Sequence, residues 1–98
     1  MIIIWSPLAE ETYYENLEYL HENWSISVVR KFIKDVDITL DLLKTNPEIF
    51  HWWDAGKNIR IGYINKHISF FYSLEEKTIF IHLFWNNHRE PSVLKKFL

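Results

Sequence analysis

The sequence predicts an α+β fold, in the order β-α-α-β-β-β, with a two-helix hairpin packed on one face of an antiparallel sheet. Apolar residues recur at helical spacing in the first half of the chain and at every second position in the second half. The 98 residues correspond to one domain, residues 1–98. A hydrophobic content of 48% and an aromatic content of 17% supply the large side chains that a small core needs.

The first half predicts a strand followed by the hairpin. Ile2–Trp5 is a continuous apolar run, typical of a strand buried on both faces, and Ser6-Pro7 supplies a helix cap and a first-turn proline. Two apolar stripes follow and predict helices over about 7–23 and 26–45, the second ending at Asn46-Pro47. The stripes are Ala9, Tyr13, Leu17, Leu20 and Trp24, then Val29, Phe32, Ile33, Val36, Leu40 and Leu43. The short connection between the helices makes them antiparallel.

The second half predicts a three-stranded antiparallel meander. Its strands begin at Ile59, Ile68 and Ile79, with short polar turns between them. Residues 46–57 are predicted to be an irregular connection, and Pro91 to Leu98 a short terminal helix or arm.

Strict alternation assigns a face to each residue of the meander. The helices are expected to cover the rows Ile68/Phe70/Tyr72 and Ile79/Ile81/Leu83. The opposite face then carries Arg60, Gly62, Ser69, Phe71, Ser73, Phe80, His82 and Phe84. Three phenylalanines there indicate a docking surface for another protein, and the alternative is a second small core beneath residues 91–98.

The composition excludes several classes of site. There is no cysteine, and hence no disulfide, thiolate metal site or cysteine nucleophile. The five histidines are dispersed without ligand spacing, so neither a metal site nor a cofactor is expected. A net charge of −2 argues against a protein that grips nucleic acid unaided. Without a signal-peptide pattern or a long apolar stretch, the expected location is the cytoplasm, with no membrane partner.

Both ends of the chain resemble toxins of the RelE/ParE superfamily. The segment from Ile3 to Glu10 is similar to that family's opening strand and S-P-x-A helix start. The strand from Lys77 to Trp85, followed by residues 86–91 (NNHREP), is similar to its closing F-W-(D/N)-x-R-x-(D/E/N)-P signature. The similarity extends through Ile59-Arg60 and residues 67–72 and covers essentially the whole chain.

The resemblance implies the toxin of a type II toxin–antitoxin, or plasmid stabilisation, system. Such a toxin is held inactive by a cognate antitoxin, ParD-like or similar, whose C-terminal segment lies along its helices and sheet. The residues expected to contact a partner are Arg60, Phe71, Phe80, His82, Phe84, Trp85, Arg89 and Leu94.

The resemblance leaves the mode of action open between two branches. RelE-like members cut mRNA on the ribosome, and the candidates for that chemistry here are Arg60, His82, His88 and Arg89. Leu94 stands where that branch has a late tyrosine, and Ile68 or Ser69 where it has a third-strand arginine. The chain is therefore more similar to the ParE-like branch, which is understood to inhibit DNA gyrase by binding. A further alternative is a non-toxic module that only binds an antitoxin.

Overall fold

The computed structural model describes residues 1–98 and has the predicted element order with one addition. Strand β1 (Ile2–Trp5) is followed by helices α1 (Pro7–Asn23) and α2 (Ile26–Thr45). Four strands complete the sheet, and short 3-10 helices lie at Ala55–Lys57 and Pro91–Lys96. These strands are β2 (His51–Asp54), β3 (Ile59–Tyr63), β4 (Ile68–Glu75) and β5 (Thr78–Asn86). Neither helix has both the length and the apolar character needed to cross a membrane.

The five strands form one mixed sheet in the order β1-β5-β4-β3-β2. β3, β4 and β5 form the predicted antiparallel meander, and β1 pairs with β5 in parallel. The prediction that residues 46–57 are irregular was wrong for 51–54, because those residues pair with β3 as an edge strand. The segment HWWD does not alternate apolar with polar residues, which is why it gives no strand signal.

The two helices begin and end at the predicted residues. Ser6 Oγ accepts a hydrogen bond from the Ala9 amide, and Ser25 Oγ accepts one from the Val28 amide. Each cap satisfies an amide that has no partner within its own helix. Ser6 also fixes α1 to the sheet, since its amide donates to the Ile81 carbonyl and its hydroxyl donates to the His82 carbonyl.

A β-bulge at His82 changes which face the end of β5 presents. Phe71 pairs with Leu83 and Tyr72 pairs with Ile81, so His82 is an extra residue without a partner in β4. Beyond the bulge, Phe84 points toward the helices. Leu83 and Trp85 point to the opposite face, which corrects the predicted faces of Leu83 and Phe84.

The sheet separates a large core from a small one. The large core lies between the sheet and the helices and includes Phe32, Phe70, Tyr72 and Phe84. The small core lies on the opposite face, where the C-terminal arm packs Leu94 against Phe71 and Trp85. The alternative interpretation, a second core beneath residues 91–98, is therefore confirmed.

Helix α1 closes the edge of β5 that β1 leaves open. The Phe84 amide donates to Thr12 Oγ1 at 2.9 Å, and the Phe84 carbonyl accepts from Asn16 Nδ2 at 3.3 Å. Both polar side chains are buried, and each supplies a hydrogen bond that a neighbouring strand would otherwise supply. Thr12 and Asn16 therefore serve the fold, and the apolar stripe of α1 gave no indication of them.

Candidate functional site

The exposed phenylalanine patch predicted from the sequence does not exist. Phe71 is 0% exposed beneath the C-terminal arm, where its ring meets that of Trp53 at 5.3 Å. Phe84 is 1% exposed in the large core. Both residues are thus unavailable to a partner in this conformation, as are Trp85 and Leu94, which are buried in the small core. Of the three phenylalanines, Phe80 alone retains surface exposure.

The uncovered part of this sheet face lies beside β1. Ile4 pairs with Phe80 and Ile2 pairs with Thr78, so these side chains share the face that points away from the helices. Ile2 is 65% exposed and Ile4 is 46% exposed. The outer edge of β1 has no neighbouring strand. This area, the β1 surface, is defined by Ile2, Ile4 and Phe80 and combines apolar side chains with an open strand edge.

His82 lies in a cavity of about 380 Å³ next to the β1 surface. Its Nε2 is 2.7 Å from Ser73 Oγ, and the cavity is also lined by Lys57 and Glu75. Burial lowers the pKa of His82, and the nearby Glu75 carboxylate opposes that shift in part. Folding thus favours the neutral form of His82, whose Nε2 forms a hydrogen bond with the Ser73 hydroxyl.

We expect His82 to make the fold less stable in mild acid. A histidine whose pKa is lowered by folding binds its proton more readily in the unfolded chain, so stability falls as pH drops below about 6.5. His82→Gln keeps a partner for Ser73 and removes the titration. Urea unfolding at pH 7.5 and pH 5.5 should show a smaller loss of stability for the variant than for the wild type. Equal losses in the two proteins would contradict this role for His82.

Arg60 lies on the helix side of the sheet, and its predicted position beside His82 was wrong. Arg60 pairs with Tyr72, a residue of the large core, whereas His82 bonds Ser73 on the other face. The Arg60 guanidinium donates to the Phe50 carbonyl at 2.7 Å and lies 3.9 Å from the centre of the Trp52 ring. The two faces of β3 were predicted the wrong way round, because its apolar residues Ile59 and Ile61 face the small core. Arg60 thus holds the β2 edge in place.

Arg89 lies at a groove of about 400 Å³ between α1 and the C-terminal arm. Its guanidinium carbon is 4.9 Å from the centre of the Trp85 ring. Glu11 and Glu15, one helical turn apart on α1, line the same groove, and neither forms an ion pair with Arg89. The groove therefore offers two carboxylates and one cation on an apolar floor.

His88 lies beside His67 at the end of the sheet near the helical hairpin. His88 Nε2 is 2.9 Å from His67 Nδ1, and the Trp24 ring lies 4.3 Å from the His67 ring between centroids. Burial, the neighbouring His88 and Lys66 all lower the pKa of His67. The sequence gave no signal for this pair, because its members are 21 residues apart on two separate turns.

The four ribonuclease candidates do not all meet at one site, and only the consecutive residues His88 and Arg89 lie close together. Arg60 lies at the β2 edge, His82 in its cavity with Ser73, His88 beside His67, and Arg89 over Trp85. Acid–base catalysis of RNA cleavage needs a proton-transfer group and a cation at the same phosphate. Arg60 and His82 were expected on one face but lie on opposite faces of the sheet, so they do not form such a pair. No group of three or more His, Asp or Glu side chains is arranged to hold a metal ion.

No family model matches the sequence, and no curated protein matches it. The fold is similar to two solved structures from Staphylococcus aureus. One is the YoeB dimer, with a TM-score of 0.60, 18% identity, and coverage of 91% of this chain and 98% of that chain. The other is the heterotetrameric YoeB–YefM toxin–antitoxin complex, with a TM-score of 0.58, 18% identity and the same coverage of 91% and 98%. The chain therefore has the fold of the YoeB structures.

Proposed function

We propose that this protein is the toxin of a type II toxin–antitoxin pair, acts in the cytoplasm and is held inactive by an antitoxin. The main support is its fold, which it shares over 91% of its length with YoeB in a toxin–antitoxin complex. The sequence motifs at the two ends of the chain agree with that fold. The proposal requires a protein partner and a surface that this partner covers.

The β1 surface is the part of the fold best suited to the antitoxin. Its apolar side chains Ile2, Ile4 and Phe80 lie together beside the outer edge of β1, which has no paired strand. Edge strands without a neighbour usually carry charges, prolines or bulges that prevent further pairing, whereas β1 reads IIIW. An extended antitoxin segment could pair with this edge and bury the apolar side chains. Of the residues predicted to contact a partner, Phe80 belongs to the β1 surface and His82 lies next to it.

Expression of the chain alone should arrest bacterial growth within a few generations. Co-expression of the short protein encoded next to it should restore growth, because that protein is the expected antitoxin. The matched control is Phe84→Ala, which removes a large core side chain and should be less toxic because a smaller fraction of it is folded in the cell. Undisturbed growth despite abundant folded protein would contradict the toxin role and favour the non-toxic binding module.

Within this role, we propose a toxin that inhibits its target by binding, with DNA gyrase as the candidate target. The support is that Arg60 and His82 lie on opposite faces of the sheet, apart from the consecutive residues His88 and Arg89, so the four candidates do not form a single set of groups for cutting RNA. The RelE-like alternative would need these groups at one phosphate. The two modes of action predict opposite fates for cellular mRNA.

A further inference from the structure

The imidazoles of His67 and His88 meet at the surface between two turns. His67 Nδ1 and His88 Nε2 are 2.9 Å apart, with ring planes inclined by 31°. The rings of Tyr19 and Trp24 from the helical hairpin lie beside them. His67 is partly exposed and His88 is exposed, so the pair lies at the protein surface.

Hydrogen bonds hold both histidines in place through the backbone. Asn65 Oδ1 accepts from the His67 amide, and Asn86 Oδ1 accepts from the His88 amide. The two turns are joined directly, since the Asn87 amide donates to the His67 carbonyl at 2.7 Å. Two imidazoles held on fixed backbones lose little freedom when a ligand joins them, which favours binding.

The spacing of the two nitrogens selects a coordination geometry. With metal–imidazole bonds of about 2.0–2.1 Å, a tetrahedral ion such as Zn²⁺ would separate the nitrogens by about 3.3 Å. The observed 2.9 Å corresponds to an angle of about 90° at the metal. Square-planar and tetragonal coordination by nitrogen and oxygen is characteristic of Cu²⁺ and Ni²⁺.

We propose that His67 and His88 form a two-histidine site for a divalent transition-metal ion, with a preference for Cu²⁺ or Ni²⁺ over Zn²⁺. The two nitrogens occupy neighbouring coordination positions, and water fills the others. Because His88 begins the segment that leads into the C-terminal arm, a bound ion ties that segment to the β3–β4 turn. The same nitrogens can instead share one proton in an N–H···N hydrogen bond, which is the occupant that the metal must displace.

Calorimetric titration of the full-length protein with NiCl₂ and ZnCl₂ tests the site. We expect one Ni²⁺ per chain, at least tenfold weaker Ni²⁺ binding in both His67→Ala and His88→Ala, and weaker binding of Zn²⁺ than of Ni²⁺ to the wild type. Cu²⁺ should quench the total tryptophan fluorescence of the wild type more than that of either variant, because the Trp24 ring adjoins His67.

His21→Ala and His51→Ala are the matched controls, because both remove exposed histidines elsewhere. Both should bind Ni²⁺ like the wild type, and circular dichroism should show that all four variants are folded. The proposal is overturned if the wild type binds no Ni²⁺, if both His67→Ala and His88→Ala bind it unchanged, or if Zn²⁺ binds more tightly than Ni²⁺.

Discussion

Replacing Phe84 by alanine should destabilise the protein by about 3–5 kcal/mol, the usual cost of removing a buried phenylalanine. Phe84 is 1% exposed, and its ring packs against those of Trp5 and Tyr13 at 4.9 and 5.6 Å. The β-bulge at His82 turns this residue into the large core, so the size of the loss tests the bulge as well as the packing. Urea unfolding monitored by circular dichroism gives the free energy.

Phe80→Ala is the matched control for this prediction. Phe80 lies on the same strand but is only half-buried, on the β1 surface, so its removal should cost less than half as much as that of Phe84. Strict alternation along β5, without a bulge, would place both residues on one face and would predict similar losses of stability. Equal destabilisation by the two variants would therefore argue against the bulge.

Gly62→Ala should cost roughly 1–3 kcal/mol, as expected when a methyl group is forced into a filled core. A Cβ at position 62 would lie 2.4 Å from two ring carbons of Phe70. That ring is fully buried between the sheet and the helices and has no space into which to move. Thermal unfolding should show a clear decrease in the melting temperature of the variant.

Gly56→Ala provides the comparison, since the chain has two glycines. A Cβ at position 56 would come no closer than 3.4 Å, to Oδ1 of Asp54, which is an ordinary contact. We expect its stability to differ from that of the wild type by no more than about 0.5 kcal/mol. Similar losses at both positions would mean that general helix or strand preference, and not the Phe70 contact, causes the effect.

The helices and most strands could be predicted from the sequence, but the face of the sheet on which each strand residue lies could be predicted only in part. Helix boundaries follow from caps such as Ser6 and Ser25, which act within one turn and are legible in the sequence. The face of each strand residue is predicted from strict alternation along the strand. The single extra residue at His82 therefore reverses the faces of all later residues of β5. No feature of the neighbouring sequence indicates that bulge, because the side chain that bonds its His82 carbonyl, Ser6, lies near the other end of the chain.

The candidate site was harder to predict because its geometry depends on contacts distant in sequence. Arg60 was assigned to the wrong face, since apolar residues of β3 pack beneath the C-terminal arm as well as beneath the helices. The pairing of His67 with His88 depends on two turns that meet at the same end of the neighbouring strands β4 and β5. Strand alternation offered a second core as the alternative to an exposed patch, which proved correct for Phe71, whereas Phe84 lies in the large core and Phe80 stays half-buried.

The most direct test of the account is the fate of cellular RNA after the chain is expressed without its antitoxin. The proposed toxin, acting by binding, should stop growth and induce DNA-damage signalling while the half-life of bulk mRNA stays unchanged. Northern blots and primer extension on abundant transcripts measure this within minutes of induction. Rapid, position-specific mRNA cleavage that disappears in Arg89→Ala would contradict the account and establish the RelE-like alternative.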